Sequence, residues 1–284
     1  MMIHFFYSML NNEGMKPNRE KKVMDTQTKV LFLKVRFLIV IVLMFSGQIG
    51  KATADFSLSG IYRHYPQSGG VDLSAGYSFL LWGKPANTIF YGYLRYALDL
   101  FTAGTYNEAL VSVDLFPVSF LGVSLGQGLY HNSKDYEDFD CLRYKCIGEF
   151  NYTFVKYTLI LGYKKFFFYQ SYKKKPIQAQ EVDKDHIIPD IGLAANSESE
   201  NISQYHSIVG WSISSKWTMG YQYIFSQTVK NPGLSQSHFL LVSYKKSKLT
   251  LSVSLGSFYS SLKPLGFSTI GYFKYQFAPS LSIF

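Results

Sequence analysis

From residue 55 onward, apolar residues alternate with small or polar ones in segment after segment. In 249–259, Leu249, Leu251, Val253, Leu255 and Tyr259 share one face, and Thr250, Ser252, Ser254 and Gly256 share the other. Trp217, Met219, Tyr221, Tyr223 and Phe225 oppose Thr218, Gly220, Gln222 and Ser226 in the same way. Val209, Trp211 and Ile213 oppose Gly210, Ser212 and Ser214, and Leu121, Val123, Leu125 and Leu129 oppose Gly122, Ser124, Gly126 and Gly128. Successive side chains of a strand point to opposite faces, so a period of two is a strand signature. Further strands are expected near 56–65, 71–82, 88–100, 106–115, 147–156, 157–169, 236–246 and 267–283, about twelve in all.

The character of the two faces narrows the class. One face is continuously Leu, Val, Tyr, Trp and Phe, the other is small and polar, and charge inside the strands is sparse. A soluble sandwich exposes Lys, Glu and Thr on its wet face, whereas a membrane barrel turns its apolar face to lipid and its polar face to a lumen. Closure satisfies every backbone group between strands and leaves no edge in the hydrocarbon. The expected fold is therefore an all-β, transmembrane, antiparallel up-and-down barrel. Its connections fit: with a periplasmic N-terminus, the inner links near 83–87, 116–117, 156, 214–216 and 246–248 are short. The outer links 131–146, 170–204, 229–235 and 261–266 include the two longest. Aromatics near strand ends (Tyr65, Trp82, Tyr130, Tyr169, Trp217, Tyr244 and Tyr259) suit interfacial girdles.

The start of the chain reads differently. The nine-residue run 37–45 follows Lys34 and Arg36 and leads to Ala52-Thr53-Ala54. It is too short to span a bilayer as a helix, which takes about 20 residues, and fits a secretory signal with a small-residue cleavage site. Residues 1–54 are read as a cleaved leader, with translation starting at Met1 or Met24, and 55–284 as the barrel. The whole chain has 28 Lys+Arg and 19 Asp+Glu. Removing the leader leaves 20 basic and 16 acidic side chains, a net of +4 against +9. The basic balance therefore gives no case for nucleic acid as a partner.

An exported chain of alternating aromatic-rich strands that stops on Phe284 resembles the Gram-negative outer-membrane β-barrel proteins over about residues 55–284. The resemblance implies residence in the outer membrane, contact with its lipid and lipopolysaccharide, and recognition of the last strand by the barrel-assembly machinery. Phe273, Tyr275, Phe277, Leu281 and Ile283 alternate toward that end, one residue out of phase with Phe284, and a bulge near Pro279 would restore the phase.

On the parity of the strands, Arg63, Arg95, Asp99, Glu108, Asp114, Glu149 and Lys164 face the lumen. They either line a passage or pair across it as an internal plug. At twelve strands the lumen lies between the filled eight-stranded case and the open porin, and Gly and Ser linings occupy little volume, which points to a narrow passive pore for small solutes or ions. A structural or surface-display barrel is the alternative without transport. A lipid hydrolase is another. In Gly128-Leu129-Tyr130-His131-Asn132-Ser133, His131 and Ser133 share a lipid-facing side at the outer rim. The pair is similar to the His-x-Ser pairs of outer-membrane phospholipases and lipid A deacylases, where histidine activates serine. No Asn directly follows Ser133, and the next strand offers no readable polar group to orient the histidine.

Cys141 and Cys146 share one outer loop, and in an oxidising compartment a disulfide is expected, provided a turn folds the chain between them. Asp135, Glu137, Asp138 and Asp140 in that loop lack a calcium-loop spacing and read as solvated. No metal or cofactor is expected. Lys173-Lys174-Lys175 is placed in the longest outer loop, as a solvated stretch, a lipopolysaccharide contact or a gate.

Overall fold

The computed structural model describes residues 52–85, 89–135, 139–179, 184–278 and 281. Twelve antiparallel strands close into a barrel: β1 (Ala52–Arg63), β2 (Ser68–Gly83), β3 (Tyr91–Thr102), β4 (Tyr106–Val118), β5 (Leu121–Asn132), β6 (Gly148–Tyr163), β7 (Phe166–Ala179), β10 (Ser199–Ser212), β11 (Trp217–Thr228), β12 (Gly233–Lys246), β13 (Leu249–Ser260) and β14 (Lys263–Ala278). β14 returns to β1 through pairs such as Ser59 with Lys274 and Tyr62 with Gly271, so no edge is left open. Two short strands, β8 (His186–Ile188) and β9 (Leu193–Ala195), pair with each other inside the connection between β7 and β10.

The period-two pattern decides which way each wall faces. Leu125 and Val253 are more than half exposed, at 55% and 53%, while their strand neighbours Ser124 and Ser254 are buried at 1% and 4%. A polar residue inside and a bare Leu or Val outside is the reverse of a water-soluble protein. It is the arrangement of a barrel whose solvent on the outside is lipid. At the inner end, outward aromatics meet across strands: Phe166 stacks on Trp211 with ring centres 5.7 Å apart, and Trp217 meets Tyr244 at 4.8 Å. Two aromatics assigned to such girdles belong elsewhere. Tyr130 is buried inside the barrel, and Tyr169 lines an inner cavity.

Strand count and most boundaries follow the sequence pattern, and the largest displacement falls on the sixth and seventh strands. The sixth and seventh strands do not meet near Lys156. They run on to a turn at 164–165, where Lys164 adopts a φ of 54°. The apolar inner face of β6, formed by Phe150, Tyr152 and Phe154, blurs the alternation that would have marked this hairpin. Consequently 170–179 is strand, not loop, and Lys173, Lys174 and Lys175 lie on β7.

The small residues inside β5 make room for rings. A Cβ on Gly126 would stand 2.4 Å from Phe154 Cε1, and one on Gly128 2.2 Å from Tyr152 Cζ. The Gly lining expected to leave water is thus partly filled by aromatics of the next strand.

The connection after β7 turns inward. Ile188, Ile191, Leu193 and Ala195 pack against the inward side chains Tyr130, Phe150, Tyr152, Phe154, Ile177 and Ile202. Hydrogen bonds hold it there. Lys145 N donates to Asp185 O, and Ile187 N to Lys145 O, tying it to the loop after β5. Asp185 accepts from Ser197 N and Asn231 Nδ2, and Glu200 accepts from the backbone N–H groups of Val229, Lys230 and Asn231. The segment expected as a free outer loop is a packed plug across one side of the mouth.

At the other end, β14 stops at Ala278, short of the strand expected over 267–283. Leu281 lies against the inward Tyr91, Tyr93 and Phe116, and its carbonyl accepts a hydrogen bond of 2.7 Å from Tyr91 Oη. Phe284 and the expected leader through residue 51 are outside the described residues, while Ala52–Ala54 begin β1 and pair with Tyr77–Phe79.

Candidate functional site

Inside the barrel, charge concentrates at two levels. At the inner level a cavity of about 250 Å³ is lined by Asp55, Arg95, Asp114, Lys156 and Lys274. Arg95 binds both acids: Nε and Nη2 donate to Asp55 at 2.9 and 2.7 Å, and Nη1 to Asp114 at 3.3 Å. The guanidinium fork fits a carboxylate with two parallel bonds, so this is a fixed strut, not a free charge.

At the outer level a larger cavity, about 1030 Å³, is bounded by Arg63, Asp72, Asp99, Glu108 and the plug residues Pro189, Asp190 and Ile191. Arg63 lies 4.5 Å over the Phe258 ring and donates to Ser237 Oγ at 3.0 Å. Glu108 accepts from the hydroxyls of Tyr106 and Tyr152. Across from it, Lys175 Nζ sits 3.9 Å over the Tyr152 ring and 4.0 Å from Glu108 Oε1, while Lys173 Nζ sits 4.4 Å over Phe154. Ring faces are negative and hold an ammonium without neutralising it. Asp190 reaches lumenal water yet is enclosed by protein. Its carboxyl is held above the ordinary carboxylate range by desolvation, against the pull of Lys175.

The structure brings Arg63, Arg95, Asp99, Glu108 and Asp114 to the lumen wall, as their parity implies. Two residues expected beside them are elsewhere. Lys164 is exposed in the turn after β6, for the reason given by the displaced hairpin. Glu149 precedes the inward Phe150 and so points outward. The parity reading missed Asp55, Asp72, Lys156, Lys173, Lys175 and Lys274. Lys173 and Lys175 were hidden by the misplaced hairpin, and Lys156 by the aromatic inner face it shares. The result is a lumen with carboxylates mainly on β1 to β4, interspersed with Arg63 and Arg95, and lysines on β6, β7 and β14.

On the outer wall, His131 and Glu149 stand opposite each other in the β5–β6 register, and His131 Nδ1 lies 3.1 Å from Glu149 Oε1. Ser133 Oγ donates to Thr105 O at 3.1 Å. In the loop that follows, Asp140 Oδ1 accepts from the N–H groups of Leu142 and Arg143, which makes the turn needed to close Cys141 on Cys146. The two form a disulfide with Cα atoms 5.4 Å apart. Asp135 approaches these sulfurs, but both are spent in the bond and offer no thiolate to a metal.

No family model and no curated sequence matches the chain. Solved structures similar in fold include the NanC porin, at 12% identity over 78% of this chain and 98% of that one, with a TM-score of 0.42. The β domain of the Bordetella autotransporter BrkA gives 10% identity, 80% and 100% coverage and a TM-score of 0.40. The loop L8 deletion mutant of OmpT, an outer membrane protein of Vibrio cholerae, gives 8%, 80%, 99% and 0.41. The closed twelve-stranded sheet, its bare apolar outer wall and its charged interior stand independently of these likenesses. The chain is an all-β, antiparallel, closed barrel of twelve strands with an apolar outer wall and a charged interior.

Proposed function

We propose that the barrel is a narrow passive pore for small charged solutes. The observation that supports this reading is a hollow, charged lumen: Arg63, Asp72, Asp99 and Glu108 line the outer cavity of about 1030 Å³, Lys156 and Lys274 the inner one of about 250 Å³, and Lys173 and Lys175 are held on inward rings. A barrel that only displayed loops would gain nothing from enclosing Lys173 over Phe154 and Lys175 over Tyr152 beside Glu108, because burying charge is costly. The plug reduces the mouth to one side of the lumen, and the Arg95 strut narrows the inner level. Both favour passage of ions and small molecules over larger ones. Fixed charges in such a surround act on ions more strongly than in bulk water.

The same reading puts lipopolysaccharide phosphates against Lys174, the one member of its lysine run that faces outward. The test of the pore is osmotic swelling of liposomes carrying the refolded protein. Swelling in salts and small amino acids, with none in oligosaccharides, is the expected result. Absence of swelling in every solute would leave the display role in its place.

A further inference from the structure

We infer that an arc of six lysines on the barrel's inner rim is a docking surface for anionic phospholipids of the adjoining leaflet. The surface lies outside the lumen, so the inference does not rest on the pore.

The strand order makes the arc. Lys164 and Lys165 form the turn between β6 and β7, and Lys216 ends the turn between β10 and β11. Lys245, Lys246 and Lys248 surround the turn between β12 and β13. Strands β6, β7, β10, β11, β12 and β13 are consecutive neighbours in the barrel, so the three turns follow one another along one side of the rim. Each stands two strands, roughly 10 Å, from the next. That is about one Debye length at physiological salt, so the charges act as a single patch. Backbone bonds hold the turns in place: Ser212 N donates to Lys165 O, Lys245 N to Lys216 O and Gln276 N to Lys248 O. Ser214 Oγ accepts from the N–H groups of Lys216 and Trp217.

The patch has no acidic counterpart of its own. All six side chains are exposed, and among the described residues none of them pairs with a carboxylate. No Asp or Glu occurs in any inner connection, that is, in 84–90, 119–120, 164–165, 213–216 or 247–248. Asp55 and Asp114, at the inner level, face the lumen and are held by Arg95. The outer connections mix signs instead, with Asp140 near Arg143 and Lys184 beside Asp185. Like charges at such spacing repel one another and weaken the folded barrel. A layer of anionic headgroups relieves that repulsion, and a neutral layer does not.

Depth selects the partner. The lysines alternate with outward aromatics: Tyr163 and Phe166 flank Lys164-Lys165, Trp217 follows Lys216, and Tyr244 precedes Lys245. Phe166 stacks on Trp211, Trp217 meets Tyr244, and Lys164 Nζ lies 5.2 Å from the Tyr163 ring centre. Aromatic girdles of membrane barrels sit at headgroup level. A lysine stem beside them lies along apolar surface and carries its ammonium out to the phosphates. Short turns mark the periplasmic end of such barrels, so the phosphates within reach belong to the inner leaflet. A zwitterionic headgroup neutralises its own phosphate, whereas phosphatidylglycerol leaves a net negative charge for the lysines. Peptidoglycan and periplasmic proteins lie beyond this layer.

The arc carries its own probe. Of the three tryptophans, Trp211 and Trp217 lie beside these lysines, and Trp82→Phe leaves them as the only two. The full chain with Trp82→Phe is refolded into phosphatidylcholine vesicles, and heat-modifiable gel mobility confirms folding. Part of the lipid is then either phosphatidylglycerol or phosphatidylcholine brominated in the upper acyl chain, which quenches nearby tryptophan. At low salt, brominated phosphatidylglycerol should quench with an apparent affinity roughly 5-fold or more above that of brominated phosphatidylcholine, the contribution of about one lysine near an anionic surface. Salt at about 1 M should bring the two together. Replacing the six lysines by Gln should erase the preference, and replacing them by Arg should retain it. Lys174→Gln, farther out on β7, should leave it unchanged. Equal quenching by the two lipids with the six lysines intact, or a preference that survives the Gln substitutions, would overturn the assignment. Equal quenching together with retention on purified peptidoglycan would overturn it and give the arc to the cell wall.

Discussion

Arg95 and Asp55 are joined by two hydrogen bonds, Nε to Oδ2 and Nη2 to Oδ1, from β3 to the start of β1. The pair spans the intervening β2 and positions Arg95 to hold Asp114 as well. Asp55 is also the first residue after Ala52-Thr53-Ala54. Cleavage there would remove the part of β1 paired with Tyr77–Phe79 but keep the acid that Arg95 grips. N-terminal sequencing of the protein from outer membranes is expected to begin at Asp55.

Removing Arg95 should be felt in both stability and selectivity. Arg95→Ala leaves two carboxylates without their cation. The expected cost is roughly 1–3 kcal/mol in urea unfolding, below that of a dry buried pair because the lumen holds water. In a salt gradient the reversal potential should move toward cation preference.

The orientation of the wall is tested on β13. Arg at Leu251 or Val253 would stand in lipid, and near mid-membrane the penalty should be roughly 2–4 kcal/mol. Ser252 faces inward, its hydroxyl 2.9 Å from that of Ser243, and Ser252→Arg should cost much less. Unfolding midpoints of the three variants in detergent or lipid check this.

Gly128 underlies the outer charge cluster through Tyr152, since the ring that fills the glycine's space also carries Lys175 and donates to Glu108. Gly128→Ala should displace that ring, destabilise the barrel by roughly 1–3 kcal/mol and change conductance. At Gly271 a Cβ meets nothing within 4 Å, so Gly271→Ala should be close to neutral in both. Thermal unfolding and channel recordings on the two variants separate packing at the cluster from a general effect of glycine replacement.

What was legible in the sequence depended on how sharply two faces differ. β13, β11 and β5 alternate Leu, Val or aromatic residues with Ser, Gly or Thr, and their orientation is as the pattern implies. β6 is aromatic on its inner face because those rings fill the space over Gly126 and Gly128, so its alternation is weak and the hairpin at 164–165 was displaced. That single shift hid Lys173 and Lys175. Glu149 shows a different limit. On parity counted from the misplaced strand it faces inward, whereas pairing with His131 depends on a register between strands that no single segment encodes. The plug was invisible for a similar reason: Ile188, Ile191 and Leu193 are a short apolar run whose burial depends on the barrel wall around them.

The most direct test of the pore reading is single-channel recording of the refolded protein in planar bilayers, with Lys173→Ala/Lys175→Ala beside the wild type. The expected result is small, discrete conductance steps, with a reversal potential that shifts toward cations when the two lysines are lost. No conductance from folded protein, or a reversal potential unmoved in the double variant and in Arg95→Ala alike, would contradict a charged passage through this lumen.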